Sequence, residues 1–108
     1  MKSRTHRASA SSSTIATTLA PGYPFKLYSV RVHLAAGGAA GALTTTVDAG
    51  AGAKFDIQLD TNSMSAATSY TKDFDPPVIF THHNDQVDIA YANGSSAAYG
   101  VEVVYRLI

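Results

Sequence analysis

From residue 25 onward, apolar and polar side chains alternate with a period of two. That spacing places one set on each face of a β-strand. In Tyr28-Ser29-Val30-Arg31-Val32-His33-Leu34 the apolar set is Tyr28, Val30, Val32 and Leu34, with Ser29, Arg31 and His33 on the other face. Leu43, Thr45 and Val47 alternate next. Phe55, Ile57 and Leu59 follow, interleaved with Asp56 and Gln58, and Val87, Ile89 and Tyr91 alternate with Asp88 and Ala90. The longest run is Tyr99, Val101, Val103, Tyr105 and Leu107 against Gly100, Glu102, Val104 and Arg106. Weaker strands are expected at 69–74 and 78–81. The phase assigns Tyr28, Phe55, Tyr91, Tyr99 and Tyr105 to the core and leaves Tyr23, Phe25, Tyr70, Phe74 and Phe80 unassigned.

Turn chemistry separates these runs: Gly37-Gly38-Ala39-Ala40-Gly41, Gly50-Ala51-Gly52, Asp60-Thr61-Asn62-Ser63, Asp75-Pro76-Pro77, Asn84-Asp85 and Asn93-Gly94. About seven short strands with turns every 8–12 residues indicate an all-β sandwich or barrel. Asn93-Gly94 reads as a tight hairpin, because both residues tolerate positive φ. No window carries helical periodicity.

Composition changes the picture at the N-terminus. Residues 1–20 hold nine Ser or Thr and no aromatic residue, which is low-complexity composition. They carry Lys2, Arg4 and Arg7 and no acid, for +3, whereas residues 21–108 carry five bases and eight acids, for −3. Ala20-Pro21-Gly22-Tyr23-Pro24 reads as a stiff hinge. The expected organisation is therefore a basic, extended N-terminal arm and hinge over 1–24 and one β-sandwich domain over 25–108. A chain of 108 residues suits one domain. It has no cysteine, so packing, alone or with subunit contacts, must stabilise it without disulfides. The basic start leads into Ser and Thr rather than an apolar run, unlike a secretory signal. No stretch approaches the ~20 apolar residues of a membrane span.

Candidate chemistry is sparse. His82 and His83 are adjacent at a strand end and should point to opposite faces, so one metal could not easily use both. Asp73, Asp75, Asp85 and Asp88 lie around two loops and offer hard oxygen donors for calcium, but without a spaced ligand loop. The glycine runs lack the Gly-Lys-Ser/Thr of a phosphate cradle, and no nucleophile elbow is present. Asn93-Gly94-Ser95 matches a glycosylation sequon that the turn reading already explains. No catalytic residue, metal ligand or cofactor site is assigned, and the reading is of a protein that is not an enzyme. An acidic body gives no support for nucleic-acid binding.

The residues 84–93, Asn84-Asp85-Gln86-Val87-Asp88-Ile89-Ala90-Tyr91-Ala92-Asn93, carry a resemblance, with Tyr99-Gly100-Val101-Glu102-Val103-Val104-Tyr105, the run at 28–34, and the segment 45–48 leading to 55–59. The stretch 27–108 resembles the small jelly-roll-like β-sandwich proteins that tailed bacteriophages use as capsid decoration (cement) or accessory virion proteins. The resemblance implies a single antiparallel jelly-roll-like sandwich of about seven to eight strands. It also implies a structural role on the capsid surface, as a symmetric homo-oligomer, a trimer being suspected, that binds a major capsid protein. Such a subunit is soluble in the host cytoplasm before assembly.

A basic arm on an acidic body suits such assembly. Ile15 and Leu19 are expected to pack on a neighbour, while Lys2, Arg4 and Arg7 meet its carboxylates. On that reading, removal of residues 1–20 leaves the fold intact and abolishes assembly. Two other classes stay open. One is a tail- or fibre-associated module, or a carbohydrate-binding sandwich, that touches a host surface. The other is a jelly-roll enzyme using His33, His82 or His83 with a metal.

Overall fold

Eight strands follow one another along residues 3–108, the part of the chain that the structure, a computed structural model, describes. They are β1 (Arg4–Ala10), β2 (Ile15–Leu19), β3 (Phe25–Leu34), β4 (Ala42–Asp48), β5 (Ile57–Ser63), β6 (Ser69–Phe80), β7 (Gln86–Tyr91) and β8 (Tyr99–Leu107), with a short 3-10 turn at Ala53–Phe55. They form two four-stranded antiparallel sheets, β1-β8-β3-β6 and β2-β7-β4-β5. The pairs β1·β8, β2·β7, β3·β6 and β4·β5 are those of one long hairpin folded over itself. Wrapping that hairpin into two facing sheets makes a jelly roll. The chain is therefore an all-β sandwich, as the alternation indicates.

The inward phase of the strands builds the core. Val30, Val32 and Leu34 of β3, Leu43 of β4, Val87, Ile89 and Tyr91 of β7, and Val101 and Val103 of β8 are all buried. Each fully buried aliphatic side chain contributes roughly 1.5–3 kcal/mol of transfer free energy. Phe25 and Phe80 close one end of this core, stacked at 4.4 Å with Tyr105 edge-on to Phe25.

In β3 the phase breaks. Phe25 and Leu27 are buried, then Val30, Val32 and Leu34. The register shifts between Leu27 and Ser29 against both neighbouring strands. An extra residue in a strand re-aims the side chains beside it. Tyr28 therefore leaves the core, to which its phase assigned it, and lines a hollow with Ser29 and Arg31. Opposite this shift, β6 advances from Val78 to Asp73 while β3 advances only from Leu27 to Ser29. Asp75-Pro76-Pro77 lies in that excess. It is not a turn between two strands but an irregular stretch inside one, tolerated because β6 is at a sheet edge where a missing N–H costs no ladder bond.

The N-terminal segment differs most from expectation. Among the described residues, 3–24 do not form a separate arm. Arg4–Ala10 pairs along its length with β8, and Ile15–Leu19 pairs with β7, so the segment supplies one edge strand to each sheet. Ile15 and Leu19 are buried in the chain's own core, as Thr17 is, while Ala16 and Thr18 between them face solvent. Low apolar content concealed a strand because β2 needs only two large residues, two turns of the pleat apart, to fill its share of the core.

Asn93 also departs from its expected role. β7 and β8 belong to different sheets, so Asn93-Gly94 begins a crossing between sheets rather than a two-residue hairpin. Asn93 does take positive φ, at 55°. Its buried side chain donates from Nδ2 to the Ser13 and Ala97 carbonyls and accepts at Oδ1 from the Ala97 N–H. One side chain thus ties the β1–β2 link to the β7–β8 crossing and satisfies backbone groups that could not reach water.

Candidate functional site

The large apolar side chains at the surface are not scattered. Tyr23, Phe55, Ile57, Ile79 and Ile108 are each at least 60% exposed, and three of them, Phe55, Ile57 and Ile79, line one groove of about 330 Å³. The groove runs between β5 and β6, the last strands of the two sheet orders, with Val47, Leu59 and Val78 at its base. Phe55 sits in the 3-10 turn and not in a strand, so it escapes the inward phase that sequence spacing gave it. Ile57 and Ile79 take the outward phase of edge strands. A contiguous apolar surface of this kind marks a contact site more often than isolated exposed residues do.

The loops around the groove are held by Asp85. Its carboxylate accepts from the Gly50 N–H at 2.9 Å and from the His82 N–H at 3.1 Å, joining the β4–β5 and β6–β7 links. Gly50 is required there, since a Cβ would collide with His82 Nδ1 and Asn84 Cβ. Across the open side of the sandwich, the Tyr70 hydroxyl of β6 donates to Asp60 Oδ2 of β5 and so links the two sheets. Burial, then the hydrogen bond to Asp60 and its negative charge, push the Tyr70 phenol well above its usual value.

The second surface is polar. On the outer face of the first sheet, Arg7, Glu102, Arg31 and Thr71 stand in one rank across β1, β8, β3 and β6, and Ser9, Gly100, His33 and Ser69 in the next. Together they bound a hollow of about 480 Å³. Arg7 Nε lies 3.6 Å from Glu102 Oε1. Arg31 also borders a neighbouring hollow of about 370 Å³ that contains Tyr28, Asp73, Phe74 and Asp75. Arg31 and His33 were legible as the polar phase of the 28–34 run, and Gly100 as a lone glycine inside a strand pattern.

The residues proposed for partner contact separate in the structure. Arg4 and Arg7 are exposed on β1, with Arg7 facing the chain's own Glu102. Ile15 and Leu19 are spent on the chain's own core and cannot pack on a neighbour. Lys2 lies outside the described residues. His82 and His83 are in a turn, not on a strand, and their rings stack at 4.6 Å instead of pointing apart. His82 Nδ1 accepts from the Asn84 N–H. The four aspartates considered for calcium are not brought together. Asp73 and Asp75 border the polar hollow on β6, Asp85 pins the loops, and Asp88 accepts from the Thr18 hydroxyl at 2.7 Å. Among the described residues no three His, Asp or Glu side chains are grouped as a metal site, and no helix is long and apolar enough to cross a membrane.

No family model matches this chain, and no curated protein matches it.

Proposed function

We propose that this chain is a structural virion subunit of the capsid-decoration kind, which assembles with copies of itself on a shell built by a major capsid protein. The observation that supports this is the apolar groove between β5 and β6, where Phe55, Ile57 and Ile79 are each 60% exposed. A side chain of that size left in water forgoes transfer free energy that an interface would recover.

The occupant of the groove is a second copy, and charge supports that choice. The edge that carries the groove also exposes Asp56, Asp73 and Asp75. The opposite edge of the sandwich exposes Arg4 and Arg7 on β1, and no acid occurs in residues 3–20. Two β1 edges repel each other, whereas β1 of one copy attracts the β5/β6 edge of the next. Such a contact is heterologous, and a closed ring follows if the rotation between copies closes. The charged β1 also keeps an open sheet edge from pairing at random.

The test is sedimentation of the purified chain, with quantitative mass spectrometry of particles from the virus that encodes it. The expected result is a closed oligomer that Ile79→Glu converts to monomer with its melting temperature within a few degrees of wild type, and copies in ratio to the major shell protein. A wild-type monomer at high concentration, with no copies in the particle, overturns the proposal. A handful of copies per particle favours a tail- or fibre-associated part instead.

A further inference from the structure

Gly100 is the second residue of the central strand β8, paired on both sides, and nothing internal to the fold requires a glycine there. It pairs with Ser9 on one side and His33 on the other. Its φ lies outside the left-handed region, and a Cβ added there would meet nothing within 4 Å. Glycine weakens a strand by its backbone entropy and by packing nothing. Neither backbone conformation nor close packing explains its presence. What it does is leave the floor of the 480 Å³ hollow bare. Of the uses a glycine finds in a strand, a bulge, a tight bend or room for an approaching molecule, the open space above Gly100 favours the last.

The walls state the chemistry of that molecule. Glu102 stands between Arg7 and Arg31 in the rank beside Gly100. Arg7 faces Glu102 at 3.6 Å, and among the described residues no carboxylate lies within ion-pair distance of Arg31. Arg31 is thus an exposed guanidinium fork, a group that matches a carboxylate in two parallel hydrogen bonds. His33, Ser9 and Ser69 surround the glycine with donors and acceptors suited to hydroxyl groups. A hollow of this volume lies within the range of small-ligand sites. Its lining holds no Phe, Tyr or Trp, and Arg31 opens onto the adjoining 370 Å³ hollow, where Asp73 and Asp75 stand beside Tyr28 and Phe74 and disfavour a second carboxylate.

We infer that this hollow binds a carboxylate-bearing saccharide, with one acidic ring over Gly100 and its carboxylate on Arg31. This site is on the outer face of the first sheet; its walls on β1 and β6 adjoin the edges that the assembly reading joins, but the inference does not rest on that reading.

Calorimetric titration of the full chain with trigalacturonate, and with maltotriose as its neutral counterpart, tests the inference. Trigalacturonate should bind, with maltotriose at least tenfold weaker. Arg31→Ala and Gly100→Val should each weaken trigalacturonate binding tenfold or more. Gly100→Val should leave the melting temperature unchanged or raised, because valine favours strands and the space is open. No binding of trigalacturonate, equal binding of maltotriose, or undiminished binding by either variant overturns the inference. So does a Gly100→Val chain that melts well below wild type, which would make the glycine structural.

Discussion

The two edges of this sandwich are built from the same alternation and use it in opposite ways. At the β1/β2 edge the large apolar residues, Ile15 and Leu19, point inward, and the exposed residues are Arg, Ser, Thr and Ala. At the β5/β6 edge Phe55, Ile57 and Ile79 point outward, beside aspartates and two prolines. One edge is complete in itself; the other leaves apolar area unsatisfied. Edge strands in a monomer are normally blunted by charge, proline or irregular geometry. Here β1 carries the charge and β6 carries the prolines, yet β6 also keeps Ile79 in solvent. On the assembly proposed above, the apolar groove inside this otherwise guarded edge serves as a selective contact surface.

Three measurements break or sharpen this contrast. The largest effect belongs to removal of residues 1–20. It strips an edge strand from each sheet and takes Ile15 and Leu19 from the core, so the truncated chain should lose its cooperative thermal transition by circular dichroism. This reverses the expectation that the segment is a detachable arm, and a truncated chain that melts like wild type would restore that expectation. Next, a matched pair of substitutions compares the edges directly. In urea denaturation Ile15→Ala should cost about 2–4 kcal/mol through lost burial and the cavity left behind. Ile57→Ala in the monomer should stay within about 0.5 kcal/mol, because its side chain is already in water. Equal losses would mean that Ile57 is packed in solution.

The smallest effect concerns the link across the open edge. The Tyr70 phenol is raised in the folded chain relative to an ordinary tyrosine, so the folded state binds that proton more tightly than the unfolded state does. Its contribution is fully present below about pH 10, the ordinary tyrosine value, and is lost as pH rises from there through the raised folded value. Tyr70→Phe should lower stability by about 1 kcal/mol at neutral pH, through loss of the hydrogen bond to Asp60. It should also make the decline between pH 9 and 11 shallower than in wild type. Parallel pH profiles for the two chains would show that the phenol is not raised in the folded chain.

Much of the fold is legible in residue order. The period of two placed β3, β4, β7 and β8 and most of the buried residues in them, because a strand with one face on the core must alternate. The candidate surfaces were partly legible. Arg31, His33, Gly100 and Glu102 occupy the outward phase of their runs, yet nothing in either run shows that four strands bring them into two adjacent ranks. Where phase alone misled, the cause was local. A bulge turned Tyr28 outward, and a 3-10 turn put Phe55 outside the ladder.

The N-terminal segment shows the limit most clearly. Its Ser/Thr-rich composition says that it cannot build a core alone, and that is true of it. Composition could not say that β8 and β7 wait with unpaired edges, ready to supply the hydrogen bonds and the apolar surface that the segment lacks. By itself, the sequence of this chain determined that it would form strands, which faces of most of them would be apolar, and where most of the turns would fall, since these follow from neighbours along the chain. Only the tertiary structure decided which strands are edges, which sheet each one joins, and which outward residues gather into a groove or a hollow. Those depend on pairings between residues up to about a hundred positions apart, such as Arg4 with Tyr105, and no local pattern carries that information.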